Sequence, residues 1–244
     1  MVVVDPDAAR PLRGAPVAVL DFETTGPDPR ACRPVQVAVT WCLLGDTEPE
    51  VALQTLIDPG EPIPAEATAV HHISDAMVRG APRWPDVVPE LLRALEGRVL
   101  AAFNLTFDWQ VLVRGVAETG LDPALVPFGA LDPLVWAKVV HRFKKGKRLT
   151  DVCERYGVPI AAHDAAADTI ATAQVMPKLL HDLGRHKECG PEPLRSVGGM
   201  WAWTRRQAVV EDKGFATWCA GAGRPAPVTY WEELLAGGWR PSSS

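Results

Sequence analysis

Three short stretches of the chain carry acids, and in one case a histidine, at spacings that suit the chemistry of a bound cation. In Val19-Leu20-Asp21-Phe22-Glu23-Thr24-Thr25-Gly26 an apolar run ends in two carboxylic acids separated by one residue. Alternate residues of a strand project from one face, so Asp21 and Glu23 can point together. Two carboxylates on one face repel each other and lose hydration unless a cation lies between them. Hard divalent ions such as Mg²⁺ take oxygen ligands of this kind. D-x-E alone is common and reads better as a strand entering a polar turn; the Thr24-Thr25-Gly26 that follows makes the pattern more particular.

In Ala102-Phe103-Asn104-Leu105-Thr106-Phe107-Asp108 a strand runs into a helix with Asp108 in its first turn. The helix dipole favours an acid there, with or without an ion. In His163-Asp164-Ala165-Ala166-Ala167-Asp168 the histidine and the last acid are five residues apart. That is not a same-face spacing on a helix, so His163 must lie on the preceding loop if the two are to meet. A capping acid and a surface histidine is the plainer alternative. Each stretch falls at the end of an expected strand or the start of an expected helix. In open α/β sheets such ends converge and form the ligand crevice.

The elements that must position these residues follow from hydrophobic period and punctuation. Residues 16–20, 35–44 and 51–57 read as three strands in a meander, with Gly45-Asp46 as a turn signal. Residues 58–72, with Pro59, Pro62 and Pro64, read as a loop. Ser74 can cap a short helix over 75–79, and 86–96 is a helix ended by Gly97. A buried strand over 98–103 leads into a helix over 106–118. There follow a strand or turn near 128–132 and helices over 133–142, 149–156 and 165–183, the last interrupted by Pro177. Strands first and strand–helix alternation afterwards describe a mixed α/β layer protein.

Composition narrows the class. The chain has 244 residues, with 47% apolar and 23% charged side chains and a net charge of −5. No apolar run reaches the ~18 residues of a membrane span. The first 13 residues carry Asp5 and Asp7 and no apolar core, so no secretory signal is expected. Five scattered cysteines without a C-x-x-C pair suit reduced thiols in the cytoplasm. The acidic balance disfavours passive coating of nucleic acid but not an enzyme that meets phosphates through metal. There are nine tryptophans, and five of them (Trp201, Trp203, Trp218, Trp231, Trp239) lie in the last fifth of the chain.

With these motifs in place, the sequence resembles the DnaQ-like exonucleases whose third motif is H-x4-D. This is the family of the bacterial polymerase proofreading subunit, ribonuclease T and oligoribonuclease. The resemblance covers about residues 15–183. Besides the acidic motifs, Ala69-Val70-His71-His72-Ile73-Ser74 is similar to the family's H-G-I-T loop, and Asn104 to Asp108 matches N-x-x-F-D. It implies a ribonuclease-H-like α/β fold, a five-stranded mixed sheet flanked by helices. It implies two Mg²⁺ or Mn²⁺ ions on Asp21, Glu23, Asp108 and Asp168. Asp21 would bridge them, Glu23 and Asp168 would serve the ion carrying the attacking water, and Asp108 the other; His163 would be the general base. Phe22, Thr24 and Asn104 would sit near the terminal nucleotide, with His71 and His72 beside its base or sugar. The implied activity is 3′–5′ hydrolysis of single-stranded nucleic acid, DNA favoured, to nucleoside 5′-monophosphates. A polymerase or a replication or repair protein is the implied partner. Three positions depart from the family: His72 replaces a glycine, Phe103 a common histidine, and Gln36 a common glutamate.

Some alternatives stay open on the sequence. The same fold could serve as a catalytically silent module binding nucleic-acid ends or a polymerase, or as an RNA-trimming exoribonuclease. The basic stretch Arg142-Phe143-Lys144-Lys145-Gly146-Lys147-Arg148 is either a solvated loop or a phosphate contact. We divide the chain into a flexible leader (1–14), a nuclease domain (15–183), and a linker with a short Trp-rich extension (184–244). The extension's tryptophans either pack onto the body or stack on a partner or on bases.

Overall fold

A computed structural model describes residues 9–45, 48–120, 130–161 and 164–223. The three expected N-terminal strands form β1 (Pro16–Thr24), β2 (Pro34–Leu43) and β3 (Glu50–Leu56), an antiparallel meander. β4 (Val99–Ala101) pairs parallel to β1, so the sheet order is β3-β2-β1-β4. The described residues thus form four strands where five were expected. The fifth position is marked only by a parallel bridge between Ala101 and Leu131. One paired residue is enough to aim the chain into the next helix but too short to count as a strand.

The helices are α1 (Ala65–His71), α2 (Asp75–Val78), α3 (Trp84–Leu95), α4 (Leu105–Glu118), α5 (Pro133–Val140), α6 (Leu149–Tyr156), α7 (Ala165–Leu183) and α8 (Val197–Gly221). The existence of α1 corrects the reading of 58–72 as loop. Pro64 stands at its N-cap, where the missing N–H costs nothing, and Glu66 occupies the first turn. The prolines therefore start a helix there rather than prevent one.

β1 separates two layers because its neighbours in sequence face opposite ways. The Phe22 ring meets Trp84 of α3 edge-on at 5.8 Å. Asp21 and Glu23, on the other face, meet Asp168 of α7. On the Phe22 side α3 and α4 press close together: a methyl group on Gly115 would run into the Trp84 indole. On the other side α7 lies across β1 and β2, with α5 and α6 against it. Its approach is close because small residues meet: Ala38 of β2 packs with Ala165 and Ala166. A buried hydrogen bond between the Thr40 and Thr169 hydroxyls, 2.7 Å, sets its register.

Part of the Trp-rich extension is helix and packs on the body. Met200, Trp201, Trp203 and Ala208 of α8 are buried in the main core. The fully buried Trp136 of α5 donates its indole N–H to Thr204 Oγ1 at 2.8 Å, and Trp203 donates to the Glu188 carbonyl at 3.0 Å. Each bond satisfies the one polar group of a large apolar anchor. Trp218 is exposed and stacks on Phe215; Trp231 and Trp239 lie outside the described residues. Residues 10–14, expected within a flexible leader, are instead pinned. Pro11 bridges Ser196, Gly14 N–H donates to the Leu44 carbonyl at 2.9 Å, and Leu12 is buried.

Candidate active site

The site lies where β1 ends and where α4 and α7 begin. Asp21, Glu23 and Asp168 each offer a carboxylate oxygen, and the three oxygens lie within 4.8 Å of one another. The alternation of β1 aligns the first two. The alanine-rich start of α7 lets Asp168, in its first turn, reach them. Asp108 completes the set from α4: its Oδ1 accepts the N–H of Phe22, the residue between the two strand acids, at 3.1 Å. That bond joins residues 86 apart in sequence and places a fourth carboxylate against β1.

The electrostatics are those of crowded like charges. Burial, then the charges of Asp108, Glu23 and Asp168, hold the Asp21 carboxyl well above the usual carboxylate range. Burial, then Asp168 and Asp164, push Glu23 from 4.5 up to about 7. Asp108 is raised by burial, against the lowering effect of the Phe22 hydrogen bond. Such a cluster is at odds with itself at neutral pH unless cations occupy it. An all-oxygen, all-carboxylate donor set suits Mg²⁺ or Mn²⁺.

A stability consequence follows. Because the folded state keeps the Glu23 proton where the unfolded chain has lost it, its contribution is complete below about pH 4.5 and gone above about pH 7. From this group alone the metal-free protein should lose roughly 3 kcal/mol over that window. Thermal melts in EDTA across the window should show the fall. Added Mn²⁺ should reverse it at pH 8 far more than at pH 5, and Glu23→Gln should flatten it.

The approach of α7 is held by a network that the sequence reading did not single out. Asp164 caps α7 by accepting the Ala167 N–H at 3.0 Å. Gln36 and Gln54 donate to its other oxygen at 3.4 and 3.3 Å, and Gln36 Oε1 accepts the Ala165 N–H at 3.1 Å. An amide can donate and accept at once, whereas a glutamate at position 36 could only accept. It would also face Glu23, its partner across the strands. This gives the departure at Gln36 a physical reason.

Asp132 was missed as well. It is buried, caps α5 through the Leu134 N–H at 2.9 Å, and accepts the N–H groups of Asn104 at 3.2 Å and Leu105 at 3.1 Å. Asn104 stands at φ 82°, left-handed backbone that most residues avoid. Asp132 holds that bend, and the bend starts α4 at the angle that delivers Asp108. Burial, the largest influence, raises its carboxyl to about 6. The Asp132-Pro133 pair, an N-cap before a first-turn proline, was the available signal.

The Phe22 ring is in the core, so only its backbone reaches the site. The Thr24 hydroxyl donates to the Gly26 carbonyl at 2.8 Å and closes the turn after β1. Asn104 is exposed at the N-cap of α4, in whose first turn Asp108 lies. His71 is buried at the end of α1, and its Nδ1 accepts the Ile73 N–H at 3.0 Å. His72 is exposed at φ 61°. It therefore adopts the conformation a glycine would take, and the histidine changes the loop's surface rather than its path. His163 lies outside the described residues. Both histidines of the loop, with Gln36, Gln54, Met77 and Asp164, line a cleft of about 550 Å³ beside the carboxylates. A second cavity, about 560 Å³, lies at the other end of α7 around Pro177 and His181; its one acid, Asp182, is bonded to Tyr156.

A mixed sheet with an antiparallel meander and a parallel fourth strand, its four acids gathered at one end of β1, defines a nuclease-type scaffold. Residues 18–176 match the family described as Exonuclease (RNase_T), and the chain belongs to this family, which generally uses divalent metal ions. The chain is similar to the DNA polymerase III subunit epsilon-like protein of Rhodobacter capsulatus, 36% identical over 177 residues, 71% of this chain and 25% of that protein. It is also similar to the 3′-5′ exonuclease DinG of Staphylococcus haemolyticus, 27% identical over 162 residues, 66% of this chain and 18% of that one. It thus spans a quarter or less of the length of these relatives. Among solved structures, the zinc-bound complex of E. coli exonuclease I with single-stranded DNA shares the fold, with a TM-score of 0.58, 20% identity, and coverage of 71% of this chain and 44% of that one. Among the described residues no helix is long and apolar enough to cross a membrane.

Proposed function

We propose that the protein is a 3′–5′ exonuclease that removes nucleoside 5′-monophosphates from single-stranded DNA. Two Mg²⁺ or Mn²⁺ ions would be held by Asp21, Glu23, Asp108 and Asp168. The observation that carries this reading is the convergence of Asp21, Glu23 and Asp168 within 4.8 Å, with Asp108 tied to the backbone between the first two. When bound, such an ion pair supplies an acidified water and positive charge for the leaving 3′ oxygen. The chain's own part is to hold four oxygens in one small volume, with Asp164 and Asp132 fixing the two helix starts that bring Asp168 and Asp108. His163 would by resemblance be the general base, a role that suits an imidazole because its ordinary pKa lies near neutrality. The cleft lined by His72, Gln36 and Gln54 is wide enough for one nucleotide and presents amide and imidazole groups to a base or sugar.

The acidic surface of the chain leaves the bound ions as the main attraction for the terminal phosphate. The name of the Rhodobacter capsulatus relative supports a polymerase as partner. Matched single strands of DNA and RNA, incubated with Mn²⁺ and resolved by chromatography, test the reading. Nucleoside 5′-monophosphates released faster from DNA are the expected result. Faster release from RNA would make the protein an exoribonuclease, and no release from either would make it a silent module.

A further inference from the structure

The loop between α5 and α6 plays no part in holding the metal site, yet it carries the densest positive charge in an acidic chain. Residues 142–148 contain Arg142, Lys144, Lys145, Lys147 and Arg148 and no acid. The flanking arginines are committed: Arg142 binds Glu188 at 2.7 Å, and Arg148 faces Asp151 at 3.4 Å. Lys144 and Lys145 are exposed and, among the described residues, in no ion pair. Between them and Arg142 stands Phe143, 98% exposed, the most exposed large apolar side chain described. The loop's shape is held from below. Arg155 of α6 donates to the Lys145 carbonyl, Lys147 donates to the Lys144 carbonyl, and Asp151 fits against Gly146, whose φ is 75°. The backbone is thus fixed while Phe143, Lys144 and Lys145 point outward.

The loop also lies within reach of the site. It sits at the end of α5, whose first residue follows Asp132, the residue that holds Asn104. Eight helical residues span about 12 Å, a distance that a few nucleotides of single strand can bridge. α6, on its other side, packs on α7, which carries Asp168. Exposed cations beside an exposed ring are what a single strand takes: phosphates on the cations, a base on the ring. A lone exposed apolar residue needs no explanation. One set among unpaired lysines on a braced loop has a chemistry that fits it.

We propose that this loop is a second contact for the substrate strand, with Lys144 and Lys145 on its phosphates and Phe143 against a base, upstream of the bond that is cut. The proposal rests on the exonuclease reading for its strand direction, so its test separates the two. Binding of a fluorescein-labelled oligothymidylate, longer than the ~16 nucleotides of the widest single-strand sites, is measured by anisotropy in EDTA, where nothing is hydrolysed. Hydrolysis of a thymidine dinucleotide, too short to reach the loop, is measured separately with Mn²⁺. Lys144→Glu with Lys145→Glu should weaken binding of the long strand at least tenfold. Loss of two phosphate contacts should lower the log–log salt slope by about 1.4. Phe143→Ala should weaken binding about tenfold with the slope unchanged. Both variants should cleave the dinucleotide, and melt, as wild type does. Unchanged affinity and slope in both variants would overturn the proposal even if hydrolysis is robust. Weakened binding by a protein that cleaves nothing would uphold the loop and overturn the exonuclease reading.

Discussion

Asp21→Asn should lower kcat on a single strand by about 10³-fold or more, and at pH 8 in EDTA the same variant should melt above wild type. The activity loss follows from the position of Asp21 at the centre of the cluster: the charges of Asp108, Glu23 and Asp168 all act on its carboxyl. By resemblance it would be the ligand shared by both ions. Metal stabilisation of a phosphoryl transfer is worth several kcal/mol, and about 4 kcal/mol corresponds to 10³ in rate. The gain in stability has the opposite sign because metal-free Asp21 is crowded by like charge. Its folded carboxyl is raised, so whatever it contributes to folding is present at low pH and lost as pH rises. At pH 8 the neutral amide, close to the same size, removes that repulsion. Mn²⁺ should then raise the melting temperature of wild type and leave the variant nearly unmoved. Wild-type kcat in the variant would remove Asp21 from the chemistry.

The second large effect is expected at a residue that touches neither metal nor substrate. Asp132→Ala takes the acceptor from the buried N–H of Leu105 and from the part-buried N–H groups of Asn104 and Leu134. Unsatisfied buried donors cost about 1–3 kcal/mol each. Part of this is offset, because a carboxyl that burial raises from 3.8 to about 6 is no longer buried. We expect a net loss of roughly 2–3 kcal/mol, seen as a melting temperature lower by about 5–10 °C. The functional effect is indirect. Without Asp132, Asn104 has little to hold it in left-handed backbone, α4 begins at a different angle, and Asp108 loses its aim. Loss of a residue that orients a metal ligand weakens metal affinity by about 10–100-fold. Activity at low Mn²⁺ should fall while saturating Mn²⁺ restores most of it, and Asp132→Asn, which keeps one acceptor, should lie between. An unchanged Mn²⁺ dependence in Asp132→Ala would mean that Asp132 only stabilises the fold.

The strand acids were legible in the sequence because their information is local. Period two places Asp21 and Glu23 on one face without any knowledge of the rest of the chain. The same rule turns Phe22 away from them, which explains why its ring belongs to the core and not to the nucleotide cleft. α7 was legible for a similar reason: the cap at Asp164 and the alanines behind it define its start, and Gly184 follows its last residue. What escaped was long-range. The Asp132–Asn104 bond spans 28 residues, and the Gln36–Asp164 bond spans 128. Neither leaves a periodic trace. α1 escaped because its prolines were read as breakers when one of them stands at the cap. α8 escaped because two adjacent glycines open it and its apolar residues do not keep to one face. Of the two alternatives open for its tryptophans, packing on the body is the one that Trp201 and Trp203 take.

The central claim is that four carboxylates gathered at the end of β1 make a metal-dependent enzyme that acts on 3′ ends. Its most direct measurement uses one oligodeoxynucleotide labelled in turn at each terminus, incubated with wild type in Mn²⁺, in EDTA, and with Asp21→Asn in Mn²⁺. The 3′ label should appear at once as a mononucleotide and the 5′ label should shorten in a ladder, in the first condition alone. Release of the 5′ label first, internal cuts, or digestion that persists in EDTA or in the variant would contradict it.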